Sequence, residues 1–464
     1  MTRIGLLTPY DGSNLGDGTI QTAVIENLRR RDPALELLGI TLDPQDTTSR
    51  HNIPAFSITG LAVPSYSEAL LLRERPRPAA PIQAQTVEAA TPPTRPPTRG
   101  LRQTLKAIPL VGPTLRFLLR SGQSLRRFIP ELRHLRQSYE VVRGLDLLVV
   151  SGGGQLDEEF GGPWGHPYVL FRWAMLARLA RTPVAFASVG AGYMQRPLTR
   201  FFLRPALASA RYRSFRDPGS IQRLARWPFT QHDPCVPDLA FGLAVASTRR
   251  VRRAGEPLVV GVSPMIYGHA KHWPTARQEV YEGYARRLAE FAHWLLERGH
   301  TLVLLRSSSA DRVAVAELKA RLLGRAGPGV AGRILEPDVQ TVQQFFREVA
   351  VADCIVASRL HGVLMSHMLG KPTLAISFDR KVDAHMESMA QTEYRVDISE
   401  FKVADLIERF TALERNAAAV SEQIADRVAR FRADLDTQFD ALLTLAGGRP
   451  GSAGRGALGG GGHG

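Results

Sequence analysis

An arginine and a histidine directly follow an apolar run in the second half of the chain. Arg359 and His361 come after DCIVAS, which has the composition of a buried strand, and a helix is predicted near 359 to 369. The first turn of a helix carries unpaired N–H groups and the positive end of the dipole, so basic side chains there oppose the dipole. The pair therefore indicates a bound anion. A buried ion pair is the alternative.

Two more basic residues follow strand-like runs. Arg216 lies in SFRDPGS between a short strand and a helix, and Lys381 lies in SFDRKVD after the run PTLAISF. Ligands of open α/β sheets bind outside the carboxyl ends of the strands, so both cations are candidates for binding an anion. Asp217 is well placed as a helix N-cap, which is a structural role. The mixed charges around Lys381 are also typical of a solvated surface.

Glycine-rich loops follow two other predicted strands. In YDGSNLGDGT, Gly16 lets the backbone approach a ligand, while Asn14 and Asp17 can bond to their own loop before a helix begins. In SGGGQ, Gly153 and Gly154 follow the apolar run LDLLVV and leave room for an anion or a sugar. A tight turn explains the first loop equally well. Both the P-loop pattern and the GxGxxG fingerprint are missing from the sequence, which argues against those nucleotide sites.

Apolar runs of strand length alternate with helical patterns along most of the chain. They form two groups, separated by Pro and Gly residues near 254 to 257. This alternation predicts an α/β fold of two doubly wound halves. The predicted domains cover 1–250 and 256–415. They are followed by a helix at 416–446 and a Gly-rich tail at 447–464 that has nothing to pack against.

Two unusual segments interrupt the N-terminal domain. Residues 73–100 are Pro-rich and predict a disordered or extended insertion. The next segment, 101–136, holds a single acid, Glu131, and its apolar residues from Leu115 to Phe128 share one helical face with arginines elsewhere. That pattern suits a helix lying on anionic lipid. The alternative is a stripe packed on the protein's own core, with the arginines solvated.

The chain is strongly basic, with 59 Lys and Arg against 44 Asp and Glu and a net charge of +15. This balance favours anionic partners, although Arg-rich codon usage explains it equally well. No nucleic-acid partner is expected, because no recognisable module is present. Cys235 and Cys354 form no ligand motif, so neither a metal nor a disulfide framework is expected. Without a secretory signal or a membrane-spanning run, the expected location is cytoplasmic.

Five stretches, in this order, resemble the polysaccharide pyruvyltransferase family. They are NLGDGTIQTAVIENL, LLVVSGGGQLDEEF, SFRDPGSIQRL, VPDLAFGL and VASRLHGVLMSHMLGKPTLAISFDRK. The resemblance covers 1–40 and 140–395, and it implies a fold similar to GT-B glycosyltransferases, with two Rossmann-like, doubly wound domains facing a cleft. It also implies transfer of pyruvate from phosphoenolpyruvate to a pair of sugar hydroxyls as a ketal, with no metal and no cofactor beyond the donor substrate. The Pro-rich insertion, the basic segment and the tail depart from the family pattern.

The resemblance implies roles for the candidate residues. The family's SxRD arginine and its RLHG arginine and histidine match Arg216, Arg359 and His361, and are associated in the family with donor binding and catalysis. The donor's phosphate and carboxylate need several cations, a set that Lys381 completes. His361 is the expected source of the proton for the enol methylene, and Asp17 is a candidate for activating the acceptor hydroxyl. The acceptor loops diverge, so the sugar is not predicted.

Two other classes of protein fit the same fold. A GT-B nucleotide-sugar glycosyltransferase would share the cleft and the C-terminal anion site, but the second half shows no Glu-x7-Glu motif. A non-catalytic saccharide-binding or membrane scaffold is disfavoured because Arg216, Arg359 and His361 are all present. Acceptors of the family are often cell-surface polymers built on lipid carriers. A lipid-linked acceptor and peripheral contact with the inner membrane face are therefore further hypotheses.

Overall fold

The computed structural model describes residues 1–60, 131–159, 161–245, 256–273, 276–326 and 328–447. The Pro-rich insertion, the stretch from Leu115 to Phe128 and the tail beyond residue 447 lie outside these ranges. The described chain forms two α/β domains, each built on a six-stranded parallel sheet. The predicted fold of two Rossmann-like domains is confirmed.

The N-terminal domain carries the first sheet. Its strands are β1 (Arg3–Leu7), β2 (Glu36–Thr41), β3 (Ala55–Ser57), β4 (Leu147–Ser151), β5 (Val184–Val189) and β6 (Tyr212–Phe215). Its helices are α1 (Leu15–Arg31), α2 (Pro44–His51), α3 (131–143), α4 (His166–Ala180), α5 (Pro197–Ala208) and α6 (Pro218–Leu224). The strand order is β3-β2-β1-β4-β5-β6. Strands β4 and β5 are buried at every position, which is why they read as continuous apolar runs in the sequence.

The C-terminal domain repeats this arrangement. Its strands are β7 (Val259–Ser263), β8 (Thr301–Leu304), β9 (Ile334–Leu335), β10 (Cys354–Ala357), β11 (Thr373–Ser377) and β12 (Arg395–Asp397). Its helices are α7 (Gln278–Glu297), α8 (Arg312–Ala326), α9 (Val342–Val351), α10 (Leu360–Met368) and α11 (Arg380–Ser388). From the β9 edge, the strand order is β9-β8-β7-β10-β11-β12, which is the same as that of the first sheet. In each sheet the order reverses beside the first strand, where ligands of such folds bind.

A long helix, α12 (Val403–Leu445), joins the two domains. The sequence placed its start at 416, but the helix begins at Val403 because Asp405 accepts the N–H of Lys402 at 2.8 Å and caps the first turn. Near its other end, Gln438 accepts a hydrogen bond of 3.0 Å from Tyr212 of β6. The helix therefore begins in the C-terminal domain and ends packed on the N-terminal one.

The domains also meet at the carboxyl ends of their sheets. The N–H of Leu15 donates to the carbonyl of Ser307 at 3.0 Å, and the N–H of Ser309 donates to the carbonyl of Ser13 at 2.9 Å. The start of α1 is thus hydrogen-bonded to the loop after β8. Buried apolar residues of both domains belong to one continuous cluster. Backbone and core together fix the two domains across the cleft.

The last residues of the basic segment 101–136 lie in α3. Glu131 accepts a hydrogen bond of 2.6 Å from Arg172 of α4, and His134 Nε2 lies 2.9 Å from the carbonyl of Ser57. This end of the segment packs on the N-terminal domain. No helix in the described part of the chain is both long enough and apolar enough to cross a membrane.

Candidate active site

Gly16, at the start of α1, lies directly against His361, at the start of α10. A Cβ atom on Gly16 would be 2.0 Å from Cγ and 2.1 Å from Nδ1 of the imidazole. Only glycine fits at such a distance without moving the ring. The close approach brings the glycine loop of one domain onto the predicted catalytic histidine of the other.

Asn14 and Asp17 are linked within the same loop. Asn14 caps α1 with Oδ1 and donates from Nδ2 to Asp17 at 3.0 Å. Burial raises the pKa of Asp17 to about 7, and the nearby carboxylates of Asp11 and Asp238 add to this, while Arg216 opposes it. A carboxyl group with this pKa can accept or release a proton near neutral pH. Asp17 directly follows Gly16, the residue that lies against His361.

Arg216 is almost fully buried at the end of β6. Its Nη1 donates to Asp238 at 3.3 Å and its Nε lies 3.6 Å from Asp217. A Cβ atom on Gly190 would lie 2.5 Å from that Nε, so the SVGAG loop leaves room for the guanidinium. Asp217 also accepts the N–H of Ser220 at 2.7 Å, which confirms its predicted N-cap role.

Arg359 forms a bidentate ion pair with Asp311. Its Nη2 lies 2.9 Å from Asp311 Oδ1, and its Nε donates to Oδ2. Asp311 is completely buried and also accepts the N–H of Ile266 at 3.2 Å. The ion pair that the sequence left as an alternative is therefore present. The ion pair does not remove Arg359 from the cleft, because its positive charge still lowers the pKa of His361.

His361 is arranged to meet an anion. Its pKa is lowered to about 4, mainly by burial and also by the cations Arg216, Lys381 and Arg359, while Asp238 opposes the shift. Its Nε2 is buried and has no hydrogen-bond partner among the described residues. The imidazole is thus neutral at pH 7 and stands among three cations. An anion bound beside the imidazole would offset much of the positive charge of these cations and raise the pKa of His361.

Lys381 lies in the first turn of α11, at the carboxyl end of β11. Its Nζ is 3.7 Å from Asp379 and 5.6 Å from the ring centre of Phe378, and one third of the side chain is exposed. Across the cleft, burial raises the pKa values of Asp157 and Glu159, and Lys381 opposes both shifts. The lysine therefore faces both the histidine and a group of carboxylates.

The loop after β4 lines the cleft with glycine. Gly152 and Gly153 have φ angles of +57° and +68°, a left-handed conformation that favours glycine. A Cβ atom on Gly153 would lie 3.9 Å from Asp17, and one on Gly154 would meet no atom within 4 Å. Gly154 thus leaves open space beside the residues described above. The structure brings the glycines and the charged candidates of both domains to one cleft.

Several residues of this cleft were not predicted from the sequence. Asp238 had a signal, because it stands in the VPDLAFGL stretch, and it contacts Arg216. Asp311 had none, since its ion pair with Arg359 depends on the tertiary fold. His385 was also missed: it lies 3.0 Å from the buried His367 and burial lowers its pKa to about 4. No group of His, Cys, Asp or Glu within the described ranges is arranged to hold a metal ion.

An aromatic cluster borders the basic residues on the C-terminal side. The ring centres of Tyr267 and Phe378 are 5.3 Å apart, and Trp273 lies 5.3 Å from Tyr267 and 6.0 Å from Phe378. The Arg359 guanidinium is 5.9 Å from the Trp273 ring. The rings offer flat apolar faces, and the nearby carboxylates of Asp157 and Glu159 offer hydrogen-bond acceptors. This combination suits a sugar ring.

Two parallel sheets facing a cleft, joined by a C-terminal helix that crosses between them, define the GT-B fold. The structure of S. aureus MnaA with UDP superimposes with a TM-score of 0.54 at 11% identity, covering 98% of this chain and 100% of that one. UDP-GlcNAc 2-epimerase from Neisseria meningitidis bound to UDP-GlcNAc gives 0.52 at 11% identity, covering 96% and 100%. At such low identity the likeness shows the fold alone.

Sequence comparison gives the family. The polysaccharide pyruvyl transferase family matches residues 14–380, which is most of the chain. The protein therefore belongs to this family, as the resemblance of its motifs implied. No match was found among curated proteins. The matched region runs from Asn14, which caps α1, to the first residue of α11, and so contains nearly all the candidate site residues.

Proposed function

We propose that the protein transfers the pyruvyl group of phosphoenolpyruvate to two hydroxyl groups of a saccharide, forming a ketal and releasing phosphate. The observation that carries this proposal is the set of three cations, Arg216, Arg359 and Lys381, whose positive charge acts on His361, together with the contact between His361 and Gly16 of the opposite domain. A small donor that carries both a phosphate and a carboxylate needs several cations close together. The family supports a transferase of this kind.

The donor would bind with its phosphate and carboxylate toward the cations. Arg359 is held rigidly by Asp311, so it presents a fixed positive group at low entropic cost. Arg216 is also held, by Asp238, at 3.3 Å. Lys381 is the most exposed of the three cations and closes the site from the α11 side. Negative charge arriving here raises the pKa of His361, which prepares the imidazole to carry a proton.

In the chemical step, His361 would deliver its proton to the methylene carbon of the donor, and C2 would become cationic. A saccharide hydroxyl then attacks C2, and its proton passes to Asp17, whose pKa is about 7. The C–O bond to phosphate breaks, and the second hydroxyl closes the ketal with loss of its own proton. The net reaction consumes one donor and one diol, and yields one ketal and one phosphate.

The acceptor would bind on the side of Lys381 that faces Asp157, Glu159 and the Tyr267 and Phe378 rings. The carboxylates can accept hydrogen bonds from sugar hydroxyls, and the rings can stack on a sugar face. A polysaccharide or a lipid-linked saccharide is the proposed acceptor class, with the reaction in the cytoplasm or at the inner membrane face. No nucleic-acid partner is proposed.

The experiment supplies phosphoenolpyruvate and UDP-sugars to separate samples of the purified protein, and follows thermal shift and product release. The proposal expects stabilisation by phosphoenolpyruvate, and phosphate release with a ketal of matching mass when a panel of saccharides is added. Arg143→Gln serves as a control, because Arg143 pairs with exposed Glu140 at the end of α3, just before β4 begins and so at the opposite edge of the sheet from the cleft. Stabilisation by UDP-sugars alone, with release of UDP, would instead identify a glycosyltransferase. Binding of saccharide without turnover of either donor would identify a scaffold.

A further inference from the structure

Large aromatic side chains are exposed on the outer side of the N-terminal domain. Trp164 is 66% exposed and Phe201 of α5 is 65% exposed. Both contact the same buried ring, since their centres lie 5.1 Å and 5.6 Å from that of Phe202. They therefore belong to one continuous patch. Exposed aromatic patches on soluble domains mark interaction surfaces more often than isolated apolar residues do.

The patch continues along both helices. Tyr168 and Phe171 of α4 are partly buried, and their ring centres lie 5.4 Å and 5.3 Å from that of Phe202. On α5, exposed positions recur at Pro197, Phe201, Arg204 and Ala208, which share one side of the helix. The aromatic rings of α4 and α5, with Trp164, form the surface called here the aromatic face.

The charge around the aromatic face is mainly positive, although Glu158 accepts hydrogen bonds from the N–H groups of Gln195 and Arg196 at the start of α5. Residues 160–216 contain nine arginines and no aspartate or glutamate, and three of these arginines, Arg172, Arg213 and Arg216, pair with acids elsewhere in the domain. Arg204 of α5 and Arg178 of α4 are exposed, and Arg200 is partly exposed. A Cβ atom on Gly162 would lie 2.8 Å from Arg196 Nη1, so a further guanidinium lies beside the loop that carries Trp164. The positive surroundings fit an anionic partner.

We propose that the aromatic face docks on the surface of an anionic lipid bilayer. Trp and Phe side chains enter the interfacial region of a bilayer, while surrounding arginines pair with lipid phosphates. The rings lie on the outer sides of two helices and pack mainly edge to face, rather than as separate stacking platforms along a groove. A single-stranded nucleic acid would need such a groove. The exposed arginines around the face also disfavour a second copy of this basic chain.

The aromatic face is connected to the cleft through the segment between β4 and α4. Trp164 follows the glycine turn after β4, which includes Gly153, Gly154 and the carboxylate of Asp157. Docking through Trp164 would hold the mouth of the cleft near the bilayer surface. This site differs from the basic segment 101–136, of which only the last residues are described. Vesicle binding is measured without donor or acceptor, so it is independent of the proposed reaction.

The test uses the full chain and co-sedimentation with phosphatidylcholine vesicles, with and without phosphatidylglycerol, at low salt. The wild-type protein is expected to sediment only with the anionic vesicles. Replacing both Trp164 and Phe201 with serine should abolish sedimentation, because the rings no longer enter the interface. The matched control replaces Leu335 and Val351 with serine, since these residues are 47% and 50% exposed on the other domain. This control should bind as the wild type does.

A charge variant tests the arginines separately. Replacing Arg200 and Arg204 with glutamine should weaken binding to anionic vesicles by at least about tenfold, because each arginine near such a surface adds to the binding free energy. The same change at Arg321 and Arg325, exposed on α8, should have little effect. Circular dichroism and thermal unfolding establish that each variant is folded.

Three results would overturn the proposal. The first is a wild-type protein that ignores anionic vesicles at low salt. The second is unchanged vesicle binding by the folded variant in which Trp164 and Phe201 are replaced with serine. Binding would then belong to the basic segment if replacing its arginines with glutamine removes it, at Arg116, Arg120, Arg126 and Arg127. The third is a dimer in solution that dissociates in the Trp164 and Phe201 variant, without any vesicle binding by the wild type. That result would assign the face to a second copy of the chain.

Discussion

Gly16 and His361 belong to different domains, yet a Cβ atom on Gly16 would lie 2.0 Å from the imidazole Cγ. The adjoining Leu15 is hydrogen-bonded to Ser307 of the C-terminal domain at 3.0 Å. The glycine and its neighbour therefore set the position of the histidine ring. The candidate active site is complete only when the two domains are in contact.

The first prediction concerns Gly16→Ala. The added methyl group must displace His361, and a shift of about 1 Å at a reacting group can cost about 100-fold in rate. We expect kcat to fall by about that factor while the protein stays folded. Gly18→Ala is the matched control two residues further along α1, because its Cβ would make ordinary contacts, with Val342 Cγ2 at 3.4 Å and with the Tyr10 hydroxyl at 3.6 Å. Equal activity of the two variants would contradict the role given to the close approach.

The second prediction concerns Arg359→Ala. From the sequence alone, this change should weaken donor binding and leave the fold intact. The ion pair with Asp311 alters that expectation, because the mutation leaves a completely buried carboxylate without its cation. We expect the free energy of unfolding to fall by about 3 to 5 kcal/mol. Urea unfolding measures this loss, and Arg143→Gln, at the exposed surface pair with Glu140, should lose less than about 1 kcal/mol.

Much of the fold was predictable because parallel strands buried on both faces read as apolar runs. The run LDLLVV lies in β4, DCIVAS in β10 and PTLAISF in β11. Helix α5 was missed, because it contains Pro205 and lacks a capping side chain at its start. The start of α12 was placed too late, since its first turns pack in the C-terminal domain and lack a strong sequence signal.

The site was predictable only in part, and the reason is tertiary. Residues at strand ends, such as Arg216 and Lys381, were identified because parallel sheets bring their carboxyl ends to one edge. The partner of Arg359 was not, because Asp311 reaches it from the loop after β8 through folding alone. The tight fit of Gly16 against His361 could not be predicted either. A glycine in a loop does not show which atom will occupy the space beside it.

The third prediction concerns Lys381→Gln. Lys381 lies 3.7 Å from Asp379 and is partly exposed, so it contributes little to stability and its main effect should be on the donor. We expect the Kd for phosphoenolpyruvate to rise by about tenfold or more, because a charged hydrogen bond is lost. The melting temperature should change little. Lys319→Gln, which breaks a surface pair with Glu336, is the control and should leave donor binding unchanged.

The fourth prediction concerns Asp17 and stability. Its folded pKa of about 7 lies above the ordinary value of 3.8, so the folded state holds this proton more tightly than the unfolded state. The stabilisation from that proton is fully present below pH 4 and is lost as the pH rises through 7. Asp17→Asn should therefore be more stable than the wild type at pH 8, by about 4 kcal/mol, and the difference should disappear near pH 4. A constant difference at both pH values would show that the pKa is not raised.

The fifth prediction concerns His361 and proton uptake. The imidazole has a pKa of about 4 because burial and three cations disfavour its charged form. Phosphoenolpyruvate would bring negative charge to those cations, so the pKa should rise on binding and His361 should take up a proton. At pH 6 we expect uptake of up to about one proton per donor bound, beyond the uptake of His361→Gln. Calorimetry in buffers of different ionisation enthalpy measures this difference, which also cancels the titration of the donor's own phosphate. His232→Gln, at an exposed histidine, should behave as the wild type does. If wild type and His361→Gln take up equal numbers of protons while both bind the donor, His361 is not the group that protonates it.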